Sequence, residues 1–402
     1  MTGYIERITG MIPHTNKMID IPLNGKSLII TGVNGSGKTS LLHGVFLLVC
    51  NYLFSKENNL DKLKKELEEI KRGLIGKDKY SMFYEYDVKK IKEIELLIES
   101  IESRLKVIIP ENKQFSNKCE KNQAVLRYFE DRRLADIREA NIPQSLHDEK
   151  QETQEIGYDW NVGKRLEQHL LNMKIRYSLA LTEDKNKELA DKIGIWFTEF
   201  ENNLIYLFED NSIKLHFNTQ NNKFSICQEG KPSFTFQTLS SGYNAILDIY
   251  AELIMRTEYF SINPTALEGV VFIDEIDSHL HISLQRLILP FLIESFPKVQ
   301  FIVTTHSPFV LMSTKDIIVF DLGKEAPYSI SRVKSQNEVL NEYLGVPTAM
   351  PIWAERSLTN ILNKYLNREP DNISIKAFKE ELVNAGLEEY FPDSAAKILE
   401  TK

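Results

Sequence analysis

The chain has 402 residues, 42% of them hydrophobic, and a formal net charge of −8, which is room for two domains or for one large domain with insertions. The acidic balance excludes a global basic field that would recruit nucleic acid, and leaves local patches open. No apolar run of about 18 residues occurs, Met1-Thr2-Gly3-Tyr4-Ile5-Glu6-Arg7 is no signal peptide, and Cys50, Cys119 and Cys227 are scattered without a C-x-x-C pair. A cytoplasmic protein with no membrane partner, no disulfide framework and no zinc hook is therefore expected.

The first predicted element is a buried strand, Ser27-Leu28-Ile29-Ile30-Thr31, and Gly32-Val33-Asn34-Gly35-Ser36-Gly37-Lys38-Thr39 follows it directly. This is G-x-x-x-x-G-K-[ST] in its required setting, because Ser40-Leu41-Leu42 then opens a helix. Glycines let the backbone curl so that its N–H groups face phosphate oxygens, and the helix N-terminus adds partial positive charge. The candidate nucleotide-binding residues are Gly32, Asn34, Gly35, Ser36, Gly37, Lys38, Thr39 and Ser40. Lys38 would reach the β and γ phosphates, and the Thr39 hydroxyl would hold Mg²⁺. A glycine-rich turn can exist without a ligand. The lysine and threonine together argue for a nucleoside triphosphate.

Next come two heptad-like seams, Leu60, Leu63, Leu67, Ile70, Leu74 and Ile91, Ile94, Ile98, Ile101, Leu105, separated by residues 73–86. They predict either an antiparallel hairpin reaching roughly 20–25 Å or two amphipathic helices lying on the body. Ala124-Val125-Leu126-Arg127-Tyr128-Phe129 reads as a strand returning to the main sheet. An arginine in the following Glu130-Asp131-Arg132-Arg133-Leu134 would meet phosphate, a neighbouring subunit or only a surface ion pair. Residues 145–154 read as a polar loop. Leu189, Ile193, Trp196, Phe197, Phe200, Leu204 and Leu207 fall on one helix face, an apolar stripe that reads as packing. A hairpin of residues 212–217 and 223–227 leads to Leu239-Ser240-Ser241-Gly242-Tyr243, a turn entering the helical run Ala245 to Met255.

Gly269-Val270-Val271-Phe272-Ile273-Asp274-Glu275 reads as a second buried parallel strand ending in two carboxylates. Asp274 would hold Mg²⁺ through water, and Glu275 would orient or deprotonate an attacking water. Val299 to Ser307 repeats the design and ends in His306, placed to touch a γ-phosphate. His279 and His281 resemble a metal pair only superficially. After Gly323 the composition changes, and the remaining residues read as a short, charged, helical extension without the clustered acids of a nuclease domain.

In this order the motifs resemble those of ABC-type ATPases: phosphate loop, L-S-x-G turn, acidic strand and switch histidine. The resemblance implies an α/β fold, a P-loop ATPase head with a short helical-hairpin (coiled-coil) insertion and a small C-terminal helical extension. The corresponding domains are 1–53 with 107–325 as a split core, 54–106 as the insertion and 326–402 as the extension. It further implies ATP and Mg²⁺ as cofactors, Glu275 and His306 as catalytic residues, and Thr39 and Asp274 as metal-binding residues. Ser240, Ser241 and Gly242 would reach nucleotide held by a second subunit, in a head-to-tail homodimer or higher homo-oligomer. Ser241 and Tyr243 depart from the family's usual glycine and glutamine, and Gln114 and Gln123 are both candidates for the glutamine that contacts Mg²⁺. The short insertion, Asp274-Glu275-Ile276-Asp277-Ser278-His279-Leu280-His281 and Thr304-Thr305-His306-Ser307-Pro308 resemble the compact ATPase subunits of bacterial antiphage operons such as Septu, PARIS and retron-linked systems. That likeness implies a separate nuclease or toxin effector. An SMC-like repair or chromosome-maintenance ATPase that clamps DNA is the competing reading, and a transporter subunit is disfavoured by the insertion.

Overall fold

Two antiparallel strands, β1 (Arg7–Met11) and β2 (Met18–Pro22), precede the phosphate loop. They alternate as a one-sided sheet should: Ile8, Ile19 and Ile21 are buried, while Arg7, Met18 and Asp20 are exposed. This small sheet was not legible beforehand, because its strands are short and one contains Gly10. Strand β3 (Leu28–Thr31) follows and is buried at every residue; β4 (Lys106–Ile108) later joins the other edge of β1.

The computed structural model describes residues 3–54, 60–74, 82–133, 135–144, 161–315, 317–323 and 327–329, then 357, 360, 361, 364 and 372–385. By contacts the chain divides into two units, Met1–Val339 and Leu340–Lys402.

The central sheet of the first unit is built from β3, β5 (Ala124–Phe129), β9 (Glu268–Ile273), β10 (Lys298–Thr304), β11 (Ile318–Asp321) and β12 (Pro327–Ser329). Its order is β12-β11-β3-β10-β9-β5. All pairings are parallel except β11 with β12. The sheet therefore runs past residue 325, the expected end of the core, since β12 pairs with β11, whose outer edge it covers. Register decides where function can sit. Asp321 lies opposite Thr31, Thr304 opposite Ile30, and Ile273 opposite both Val303 and Phe129. The residues that follow these strands emerge together at the carboxyl edge, the usual ligand edge of an α/β sheet.

Helix α1 (Lys38–Phe54) starts at that edge and carries Leu41, Leu42, Val45, Leu48 and Val49 into a core shared with Ile8, Ile30, Phe272 and Ile302. Each such side chain contributes roughly 1.5–3 kcal/mol by leaving water, so a charge at Leu42 would undo the phosphate loop from behind. The predicted seams form α2 (Leu60–Gly73) and α3 (Met82–Glu102). Lys64–Glu102 and Lys71–Glu95 ion pairs, at 2.7 and 2.6 Å, set them antiparallel. Ile94, Leu97 and Ile98 of α3 are buried, and a Cβ at Gly44 would come within 2.7 Å of Ser100 Oγ. The base of the pair thus lies on α1; residues 75–81 are outside the described ones. Helix α4 (Asn112–Glu120) buries Phe115, which stacks on Tyr4 at 3.8 Å.

Helices α5 (Leu166–Thr182) and α6 (Lys187–Phe208) precede the antiparallel sheet β6 (Lys214–Asn218), β7 (Lys223–Gln228) and β8 (Lys231–Phe234). Strand β8 was not foreseen, its Lys231-Pro232 start being a poor strand signal. The apolar stripe of α6 packs as predicted: Ile193, Phe200, Leu204 and Leu207 are buried, and Trp196 stacks on Phe200 at 5.3 Å. Helices α7 (Ser241–Phe260), α8 (Ile282–Ser295) and α9 (Pro308–Leu311) complete this unit. Among the described residues no helix is long and apolar enough to cross a membrane. The polar loop expected at 145–154 lies outside the described residues.

In the second unit, α10 (Asn372–Asn384) buries Phe378 and Leu382, and its Glu381 takes Lys364 at 2.8 Å.

Candidate active site

The phosphate loop turns between β3 and α1 through three glycines with positive φ, Gly32 (145°), Gly35 (74°) and Gly37 (97°). A Cβ at Gly37 would press within 3.2 Å of both Ile12 and Thr15, so only glycine gives this turn against the β1–β2 loop. Lys38 is buried, and its ammonium donates to the carbonyls of Gly32 at 3.1 Å and Val33 at 3.2 Å. Burial pulls its pKa down, while the charges of Glu275, Asp274 and Asp277 pull it back up. The buried Ser36 hydroxyl has no hydrogen-bond partner among the described residues. Asn34, Gly35 and Thr39 are exposed, and no atom lies within 4 Å of where a Cβ on Gly35 would sit. A cation and an unsatisfied hydroxyl in a loop open to solvent fit a polyphosphate.

The acids do not sit where a continued strand would put them. Strand β9 ends at Ile273, and Glu275 adopts a left-handed conformation, φ 43°. Two neighbours hold this turn. Thr304 Oγ1, on β10, donates to Asp274 Oδ1 at 2.5 Å and accepts the Glu275 N–H at 2.7 Å. Arg133, buried, donates from Nη1 to the carbonyls of Asp274 at 2.6 Å and Glu130 at 3.0 Å, and from Nη2 to Glu275 O at 2.8 Å. The carboxyl of Asp274 is buried, whereas Glu275 is half-buried. Burial raises the Glu275 pKa, and Asp274, Asp131 and Asp277 raise it further against the pull of Lys38. His306 follows β10 and is half-buried; burial and the Lys38 charge lower its pKa, opposed by Asp277 and Asp274.

A polar chain ties the segment after the acids to the histidine. Thr305 donates to Asp277, the Ser307 N–H donates to Thr305 Oγ1 at 2.9 Å, and Ser307 Oγ donates to Gln285 Oε1 at 2.6 Å. Gln285 Nε2 closes it on Leu280 O at 2.8 Å. His281 caps α8 by accepting from Ser283, and His279 takes φ 64°. His279 is thus a turn residue and His281 a helix cap.

Ser240 is the N-cap residue of α7, and both it and Ser241 are exposed. Gly242 is buried instead of facing solvent: a Cβ there would meet His279 O and Leu284 Cδ1, each at 3.2 Å. The helix start rests on the turn that follows the acids, and glycine permits the contact. Tyr243 stacks on Phe208 at 4.0 Å.

Neither candidate glutamine reaches this edge. Gln123 precedes β5, whose register sets Ala124 beside Glu268, so it stands at the far end of the sheet, roughly 20 Å away at about 3.3 Å per residue. Gln114 shares a cavity with Glu268 at that same end. At the carboxyl end of β5 stand Glu130 and Asp131. Sequence reasoning left Arg133 undecided and gave no role to Thr304. The strand-end position of Thr304, level with the predicted acids, was the one available signal.

Over 149 residues the chain is 35% identical to the Retron Ec83 probable ATPase of Escherichia coli, a match of 35% of this chain and 27% of that protein. Over 157 residues it is 29% identical to the Septu protein PtuA of Bacillus mycoides (strain KBAB4), covering 37% and 21%. The chain spans about a quarter of the length of these two relatives, and they bear out its likeness to the ATPases of retrons and to Septu proteins. The Smc head domain of Pyrococcus furiosus, with an extended coiled coil and bound to the C-terminal domain of ScpA, overlaps 81% of this chain and 96% of its own. Its TM-score is 0.39 at 15% identity, too loose a likeness to argue from. A family model matches residues 27–313, the stretch that carries β3, β5, β9 and β10, and the chain belongs to the family it describes: "AAA domain, putative AbiEii toxin, Type IV TA system".

Proposed function

We propose that this chain is an Mg²⁺-dependent ATPase that closes as a head-to-tail homodimer and governs a separate nuclease or toxin in a bacterial antiphage system. One observation carries the enzymatic part: the phosphate loop with Lys38, His306, and Asp274 with Glu275 follow the adjacent parallel strands β3, β10 and β9 and emerge at one sheet edge. The loop from Gly32 to Ser40 would cradle the triphosphate with its amides, and Lys38 would leave the Gly32 and Val33 carbonyls to pair with phosphate. Thr39 and Asp274 would hold Mg²⁺, which when bound offsets phosphate charge. Glu275, its basicity raised by burial, would accept a proton from the attacking water. His306, neutral, would donate a hydrogen bond to the transferring group.

The dimer rests on Ser240 and Ser241, exposed at a helix start where their amides and hydroxyls can receive an anion from outside. The defence role is supported by the retron and Septu names of the relatives. The DNA-clamp alternative is weakened by the α2–α3 pair, where Lys64, Lys71 and Lys90 are each paired with a glutamate. The test is ATP turnover together with sizing, with and without Mg²⁺-ATP, for the chain alone and with the product of the adjacent gene. Turnover with an ATP-dependent dimer that binds or releases this neighbour is expected. A chain that neither binds nor hydrolyses ATP would overturn the proposal.

A further inference from the structure

We propose that Arg133 is the positioning residue of the catalytic turn, its guanidinium forking across the Asp274 and Glu275 carbonyls to fix the left-handed bend that aims the Glu275 carboxylate. The inference rests on the ATPase reading of the same edge and deepens it. Arg133 reaches the turn from a different element, the segment that follows β5, and its three hydrogen bonds all end on backbone carbonyls. It is 3% exposed. A strand cannot supply this geometry by itself. Beyond Ile273 the ladder to β5 stops after the Asp274 N–H reaches Phe129 O at 2.9 Å; Arg133 then satisfies the Asp274 carbonyl and gives the Glu275 carbonyl, which already accepts the Ser278 N–H at 2.8 Å, a second donor. A planar fork with parallel donors matches the two carbonyls; an ammonium, as a point charge, does not.

The setting explains why a charged residue is tolerated there. Burial disfavours the guanidinium, and Asp248 of α7 together with Asp277, Asp274 and Asp131 favours it. Asp248 also takes Asn161 Nδ2 at 3.3 Å. A neutral side chain at 133 would remove one of the cations these acids face, leaving Lys38 for Asp274 and Asp277 and Arg127 for Asp248. Thr304 holds the turn from the β10 side through the Asp274 carboxylate and the Glu275 N–H, and Arg133 holds it from the β5 side through the carbonyls. The two contacts use different atoms, so neither replaces the other, and both add to the turn's own Ser278 N–H to Glu275 O bond at 2.8 Å in holding φ 43° at Glu275.

The experiment uses the full chain carrying Arg133→Lys and Arg133→Met, each also combined with Glu275→Gln. Direct ATP binding, single-turnover rate and thermal midpoint are measured for all. Both single variants should bind ATP within about threefold of the parent and lose about 10²-fold in turnover, the scale of an ångström-size misplacement of a reacting group. Arg133→Lys keeps the charge and, with milder effects on folding, must still lose turnover. In the Glu275→Gln background the Arg133 change should add little, because the group it aims is already disabled. Parental turnover in either single variant, or losses that multiply in the double variant, would overturn the assignment while leaving the ATPase reading intact. A parent without turnover would remove both.

Discussion

The Thr304 hydroxyl donates to the Asp274 carboxylate at 2.5 Å, and the same oxygen receives the Glu275 N–H at 2.7 Å. One side chain on β10 thus fixes a candidate metal-binding residue and the backbone of the candidate base in the turn that follows β9. Thr304→Val keeps the shape and removes both contacts, leaving a buried carboxylate and an amide unpaired. A loss of about 1–3 kcal/mol in stability is expected, with turnover falling and the Mg²⁺ requirement rising. Thermal unfolding and a Mg²⁺ titration of turnover check this; an unchanged Mg²⁺ dependence would detach Thr304 from the site.

Lys38→Ala should abolish ATP binding and biological activity together. The lysine lies on the phosphate loop, buried and among carbonyls that a triphosphate would outcompete. Direct nucleotide binding is the measurement, and parental affinity would sink the assignment.

Glu275→Gln keeps the side-chain shape and removes its basicity. It should bind ATP, close the dimer and stall, with turnover down about 10²-fold or more. Asp274→Asn should instead weaken Mg²⁺-ATP binding itself, since its carboxylate is the buried one. If Glu275→Gln turns over at the parental rate, the base is elsewhere and His306 becomes the next residue to replace.

The shifted groups Glu275 and His306 each predict a loss on acidification, one in turnover and one in stability. Glu275 has its pKa raised, so turnover should fall, as pH drops, at a value above the ordinary glutamate pKa of about 4.3. His306 has its pKa lowered, so between its folded value and about 6.5 the unfolded chain binds the proton more readily. The imidazole therefore subtracts stability as pH falls through that window. A pH–rate profile tests the first statement. For the second, thermal midpoints of His306→Gln should depend less on pH from neutrality down to mildly acidic conditions. A midpoint that tracks the parent at every pH would contradict it.

Burial of Gly242 changes how the dimer face should be probed. Gly242→Asp would collide with His279 O and Leu284 before it met any phosphate, so it would report folding as well as assembly. Ser240→Asp, at an exposed position, places a carboxylate where a second subunit's phosphate is proposed to arrive. ATP binding and thermal midpoint should hold while turnover is lost. Turnover at the parental rate would rule out the head-to-tail sandwich.

Local chemistry made much of this protein legible in its sequence. Gly32 to Thr39 declares itself because a phosphate loop needs glycines, a lysine and a hydroxyl within one turn, and β3, β9 and β10 declare themselves because buried parallel strands are continuous apolar runs. The heptad seams marked α2 and α3 for the same reason. What the tertiary structure decided concerns contacts that no local pattern encodes. Parallel register chose the sheet edge, leaving Gln114 and Gln123 at the far end and bringing Glu130 and Asp131 to the near one. The left-handed turn at Glu275 is hydrogen-bonded to Thr304 and Arg133, 29 and 142 residues away in the chain. Gly242 is buried because α7 begins against the His279 carbonyl. Backbone carbonyls and long-range hydrogen bonds carry no residue-type signature, so the groups that hold the turn at Glu275 appear only once the chain is folded.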